Sequence, residues 1–308
     1  MNTERPLIRL YRTRTFGEKM SDTFDFVREN WHPMLKYLTY LLLPVALVQA
    51  FTTGNFMSSY MTFANTMGKT DIETMMPWLT SMGVSLLFNT VAMLLACALI
   101  YTMMQVYEQR PNRLQNVTFA ELSSGIKQKT VRQIVLLILT VILVLLVGGV
   151  IFFLLAMINS ALVFLGGLIV FLLLPFLMLA NPIYLFEKIG VVGAISKSIR
   201  LGWKTWAGIV AVITVLYLLV TIVQSVVSMP WYIMMTLKNV LATQNTEPGF
   251  MSSFGYTAIQ YVLGVISNFC ASCLLTLISL GLAYQYGHAC DKVDGVTVDR
   301  DIENFETL

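Results

Sequence analysis

The chain has 308 residues, 56% hydrophobic and 12% charged, with a mean hydropathy of +0.72 and a formal net charge of +3. Soluble domains carry about a quarter charged residues, so this composition excludes an ordinary soluble protein and fits a membrane protein. The basic residues border the apolar runs, and the small positive balance gives no ground for a nucleic-acid partner.

Residues 1–15 are basic and polar and read as extended chain. From Phe16 the pattern turns helical, with Phe16, Met20, Phe24, Val27 and Trp31 forming one apolar stripe opposite Glu18, Lys19, Asp22, Asp25, Arg28 and Glu29. That face is too polar to span and suits a helix lying in the membrane interface. Pro33 is the expected break before span 1, at about residues 34–51. This first run begins too late for a signal peptide and lacks a small-residue cleavage site, so it is expected to stay as an anchor.

Residues 52–82 are polar and rich in methionine (Met57, Met61, Met67, Met75, Met76, Met82). Thioethers are soft ligands for Cu(I), but no His or Cys joins them, and flexible packing is the simpler reading. Span 2 covers about 83–106. In the basic stretch that follows, Thr118 and Glu121 have the spacing of a capping box, with Leu122 and Ile126 giving a short helix its apolar side. Asn116-Val117-Thr118 is a glycosylation sequon in form, on the side assigned to the cytoplasm. Spans 3 and 4 (about 133–157 and 161–186) are separated only by Ile158-Asn159-Ser160, a tight hairpin. Span 5 covers about 207–229, ending at Pro230-Trp231-Tyr232, and residues 233–253 read as an outer loop. Span 6 covers about 254–286, before an acidic tail at 291–308.

No Asp, Glu, Lys or Arg occurs in residues 37–68, 83–107, 133–186, 205–237 or 248–290. A helix crossing about 30 Å of hydrocarbon needs roughly 18 or more such residues. With six spans both termini share a side. Of the 20 Lys and Arg, 18 fall on that side and only Lys69 and Lys238 on the other, so both termini are expected in the cytoplasm. The expected fold is all-α: a polytopic membrane protein with six transmembrane helices in three hairpins, each preceded by a cytoplasmic interfacial amphipathic helix. The expected organisation is a basic N-terminal region (1–33), a six-span domain (34–290) and the acidic tail.

An internal repeat accompanies this organisation. Moving the first stripe forward by 175 positions lands on Val191, Ile195, Ile199, Gly202 and Trp206, and residues 118–132 form a weaker third copy.

Chemistry is scarce. Apart from Lys36 at the entry to span 1, no Asp, Glu, Lys, Arg or His lies within a span, which speaks against proton relays and ion-coupled transport. Cys97, Cys270, Cys273 and Cys290 make no disulfide framework, and Cys270-x-x-Cys273 reads as small-residue helix packing. His32 and His288 are far apart and give no metal site. No nucleophile motif, Walker sequence or dinucleotide fingerprint is present, so neither enzyme chemistry nor a cofactor is expected. The candidate polar and kink site is Pro175, Asn181 and Pro182, with Gln224 and Asn268. Pro182 removes a backbone donor and frees a carbonyl near residue 178, as in a broken helix lining a site. Lys197, Arg200 and Lys204 are the candidate contacts for anionic headgroups.

The run Pro182-Ile183-Tyr184, then Glu187, Gly190, Ala194, Ser198 and Trp206, resembles a bacterial family of six-span membrane proteins. That family includes the membrane domain fused to some glycerophosphodiester phosphodiesterases, and stand-alone proteins of unknown function. Phe16-Gly17-Glu18, Asp22-Thr23-Phe24 and Asn30-Trp31 resemble its opening. The chain has no room for the soluble phosphodiesterase domain, so catalysis does not carry over. The resemblance implies the fold and a cytoplasmic (inner) membrane location. The expected role is non-enzymatic membrane organisation or partner assistance; the alternative is a permease or lipid-handling transporter with a site near the kinked span 4.

Overall fold

The structure, a computed structural model, describes residues 6–65, 72–159, 162–243 and 249–297. Met67, Lys69, Ala161 at the expected start of span 4, and the acidic tail beyond Thr297 lie outside the described residues. Among these the regular elements are all helical. They are α1 (Phe16–Asn65), α2 (Ile72–Gln109), α3 (Phe119–Ile158), α4 (Val163–Met178), α5 (Ala180–Phe186), α6 (Val191–Thr243), a 3-10 turn at Gly249–Ser252, and α7 (Phe254–Asp294). Six helical segments, α4 and α5 together making one, are long and apolar enough to cross a membrane. This is the architecture of a multi-pass membrane protein.

The helices run well past the expected spans. Residues 52–65 and 72–82 continue α1 and α2, and most of the expected outer loop after residue 232 continues α6. Pro33 does not end α1. The helix instead loses regular geometry at Asn30 (φ −115°, ψ 18°), beside the Glu29 carbonyl that the proline ring would strike. The Asn30 amide compensates by donating to the Phe26 carbonyl at 2.9 Å. In α6 the same departure occurs at Thr205 (φ −126°, ψ 20°), whose hydroxyl donates to the Leu201 carbonyl at 2.9 Å. The two irregular residues are 175 positions apart, the offset seen in the sequence.

Two compact units divide the chain. The first comprises the chain up to Met34, Ala98–Leu216 and the chain from Leu277; the second comprises Leu35–Cys97 and Tyr217–Thr276. In the first unit α1, α3 and α6 begin at Phe16, Phe119 and Val191 and bury one register. Lys19, Thr23, Phe26 and Asn30 in α1 match Leu122, Ile126, Lys129 and Gln133 in α3 and Ala194, Ser198, Leu201 and Thr205 in α6. The third copy is therefore as well defined as the others. The large aromatic members of the α1 and α6 stripes point outward, whereas Leu122 and Ile126, the apolar side of α3, are buried. Phe16, Phe24 and Trp31, and likewise Ile199, Trp203 and Trp206, are exposed, while the inward register mixes Phe26, Leu122, Ile126 and Leu201 with small and polar residues. Without a hydrophobic drive between helices in lipid, small residues that permit close approach belong at the interfaces. Gly202 shows the reason: a side chain there would strike Phe176 of α4, at 2.9 Å from its ring and 3.2 Å from its Cα.

The second unit is tied by polar contacts between apolar faces. Gln49 Nε2 donates to Asn89 Oδ1 at 3.1 Å, and the Tyr261 hydroxyl to the Leu47 carbonyl at 2.9 Å. Phe63 and Trp78 stack with centroids 4.8 Å apart. Gly264 lies against the Trp231 indole and Ala50.

Candidate functional site at the α5–α6 link

The break in span 4 falls where Pro182 requires it. Its ring excludes a carbonyl four residues back, and α4 ends at Met178, with α5 starting at Ala180. Asn181 and Pro182 then occupy the first turn of α5, where a proline costs no hydrogen bond. Pro175 sits inside α4. Residues 183–186 complete α5, and the chain then passes through Glu187 into the link before α6.

That link collects charge from three helices. Arg132 of α3 donates to the carbonyls of Glu187 (3.0 Å) and Ile189 (3.2 Å), and its guanidinium lies 4.2 Å from the Tyr184 ring centroid. Lys129, one turn earlier and buried, donates to Gln105 Oε1 at 2.7 Å and reaches the Leu185 carbonyl at 3.5 Å. Two cations thus sit against carbonyls that a helix end leaves open. The Glu187 carboxylate receives Lys197 Nζ of α6 and the Tyr286 hydroxyl of α7, both at 2.7 Å. Tyr286 has one proton, committed to Glu187, so in its 2.8 Å contact with Tyr11 the Tyr11 hydroxyl is the donor. Burial pushes Tyr11 up to about 12, which keeps that proton in place. Asp294 closes the group, accepting Arg200 at 2.9 and 3.0 Å and pairing with Lys197 at 3.5 Å.

No family model, curated protein or solved structure matches this chain. The site therefore has to be read from its own geometry.

Tyr11 belongs to a strap. The segment before α1 is extended, but it is built in. Leu10 and Arg14 are buried, the Leu10 amide donates to Glu108, and Thr13 Oγ1 donates to Asp291 at 2.6 Å. The Arg14 amide donates to His288 Nδ1 at 3.0 Å, and its guanidinium holds Asp22 at 2.6 Å. Gly287 is required here, since the Leu10 carbonyl occupies the place of a Cβ. Alongside, Arg113 in left-handed backbone (φ 53°) pairs with Glu29 at 2.5 Å, and that hydrogen bond raises the guanidinium further above its usual value.

The other residues expected at the site divide between the units. Gln224 and Asn268 belong to the second. Gln224 Nε2 donates to the Ser267 carbonyl and hydroxyl (3.1 and 3.2 Å), and Asn268 donates to Gly264 and accepts from Thr53 at 3.4 Å. Of the three cations expected to meet headgroups, Lys197 and Arg200 are committed to Glu187 and Asp294, while Lys204 is exposed. Tyr11, Arg132, Tyr286 and Asp294 were not anticipated. Their partners lie tens to hundreds of positions away, and no local spacing announces them. No group of three metal-ligating side chains occurs among the described residues.

Proposed function

We propose that the chain is a multi-pass protein of the bacterial cytoplasmic membrane, with both termini inside, whose role is non-enzymatic: it organises the bilayer or assists partner proteins. The observation that carries this reading is the contrast between α3–α4 and the pinned end of the first unit. Only 11% of the apolar window of α3 is buried, against 39% and 44% in α1 and α2. Phe153, Phe164 and Phe171 stand outward from this pair. Such a face belongs to lipid or to another membrane helix. Meanwhile Glu187, the carboxylate at the link, accepts from an ammonium and a phenol, an arrangement suited to fixing helices in place. The exposed Ile199, Trp203 and Trp206 face supports an interfacial start to α6, and Phe16, Phe24 and Trp31 do so for α1. The resemblance to the six-span bacterial family supports the same location.

Purified protein in liposomes tests this. Photocrosslinkers at Phe153 and Phe171 are expected to label acyl chains or a second membrane protein, and no solute flux should depend on Asn181. Flux abolished by Asn181→Leu would overturn the non-enzymatic organising role in favour of transport. Two observations favour that second reading. α4 and α5 are broken at Leu179, and a cavity of about 270 Å³ in the second unit is lined by Asn55, Ser58, Lys238, Asn239 and Gln260.

A further inference from the structure

The cavity among α1, α6 and α7 of the second unit differs in kind from the apolar one in the first unit, which is lined by Val144, Leu173 and Trp203. It has a volume of about 270 Å³. Gly54 lines it, and a side chain there would meet nothing within 4 Å of its Cβ, so the space is open.

The polar lining carries one charge. Lys238 is half-buried, lies 6.0 Å from the Tyr256 ring centroid and pairs with no acid among the described residues. Asn55 and Gln260 bring amides to the same cavity. Asn239 gives an N–H to the Met235 carbonyl at 2.8 Å, which leaves its oxygen as an acceptor. Trp231 is 5% exposed, and its indole N–H has no acceptor among the described residues.

The cavity sits where the expected spans end. Lys238 is the first charged residue after the charge-free run 205–237, and Gln260 lies near the start of the run 248–290. Phe51 and Tyr261 line the cavity and are exposed, and Leu47, whose carbonyl accepts from Tyr261, continues that apolar face along α1. A polar chamber with one cation thus opens onto an apolar helix face, among the Trp and Tyr side chains that favour the headgroup level.

We propose that this cavity binds one phospholipid, with its phosphodiester on Lys238 and the Trp231 N–H and an acyl chain along Phe51 and Leu47. One unpaired ammonium matches the single negative charge of a phosphodiester, and the oxygens of Asn239 and Gln260 accept from the donors of the headgroup. The site rests on the membrane reading alone and not on the choice between organising the bilayer and transporting a solute.

Thermal unfolding of the full chain, stripped of lipid in a maltoside detergent, tests the proposal. Dioleoyl-phosphatidylglycerol is expected to raise the midpoint saturably, and dioleoylglycerol, with the same chains and no phosphate, is not. Gly54→Leu places a side chain in the open space and improves helix propensity, so it should fold and lose the response. Lys238→Gln should weaken the apparent lipid affinity about tenfold, while Lys238→Arg keeps it. Native mass spectrometry should show one bound phospholipid in the parent and none in Gly54→Leu. An equal response to dioleoylglycerol overturns the proposal, as does an equal response to inorganic phosphate, or a response that persists in Gly54→Leu or is unchanged in Lys238→Gln. A chain that reconstitutes into liposomes yet shows no lipid response overturns the site while leaving the membrane reading intact.

Discussion

At the scale of single residues, the ion pairs differ sharply in what they contribute. Arg12–Glu18 has 59% and 42% of its side chains exposed, and exposed pairs contribute about 0–1 kcal/mol. Arg12→Ala is therefore expected to change stability by less than about 0.5 kcal/mol. Glu187 and Lys197 are only 20% and 22% exposed, and removing one partner strands the other. Glu187→Gln should lower unfolding stability in detergent by about 1–3 kcal/mol, and should also loosen the strap, because Tyr286 loses a charged acceptor. Gly287→Ala acts on the strap directly. With the Leu10 carbonyl in the way, overpacking of about 1–3 kcal/mol is expected, and limited trypsin digestion should cut at Arg9, Arg12 or Arg14 faster than in the parent. Unchanged digestion would show that the strap does not depend on that close approach.

At the scale of helices, the sequence spoke clearly about existence and poorly about facing. Charge-free windows located all six long apolar helices, and the proline rule placed the α4–α5 break to within a residue. The capping box expected at Thr118 and Glu121 does not form: Thr118 makes no side-chain hydrogen bond to the helix backbone, and its hydroxyl donates to Glu121 Oε1 at 3.0 Å instead. A box that does form went unread at Thr15 and Glu18, where the Thr15 amide donates to Glu18 at 2.7 Å and the Glu18 amide to Thr15 at 3.4 Å. The stripe through Val191, Ile195, Ile199, Gly202 and Trp206 follows sound periodicity. Which side of it faces protein depends on whether the solvent beyond is water or lipid, and periodicity carries no information about that. Only Gly202, the apparent weak member, marks the packed side. Gly202→Val should separate α4 from α6 and cost about 1–3 kcal/mol, whereas Trp203→Leu on the outward face should cost under about 0.5 kcal/mol.

At the scale of the molecule, the balance of Lys and Arg makes a topology prediction. A phosphatase reporter fused after Leu308 should be inactive, a cytosolic fluorescent reporter active, and the reverse result would invert the whole arrangement. What the sequence withheld at this scale was the set of pairings across the chain: Tyr11 with Tyr286, Arg14 with His288, Glu187 with Tyr286. The strap gives these a consequence in time. Residues 10–14 leave the ribosome first, and their partners at 286–291 leave some 275 positions later. At about 5–20 residues per second, the wait is roughly 15–55 s. Throughout it, the Tyr11 hydroxyl, the Thr13 hydroxyl and the Arg14 amide wait for their α7 partners, so a segment made early becomes the clasp that closes the first unit only once α7 has been made.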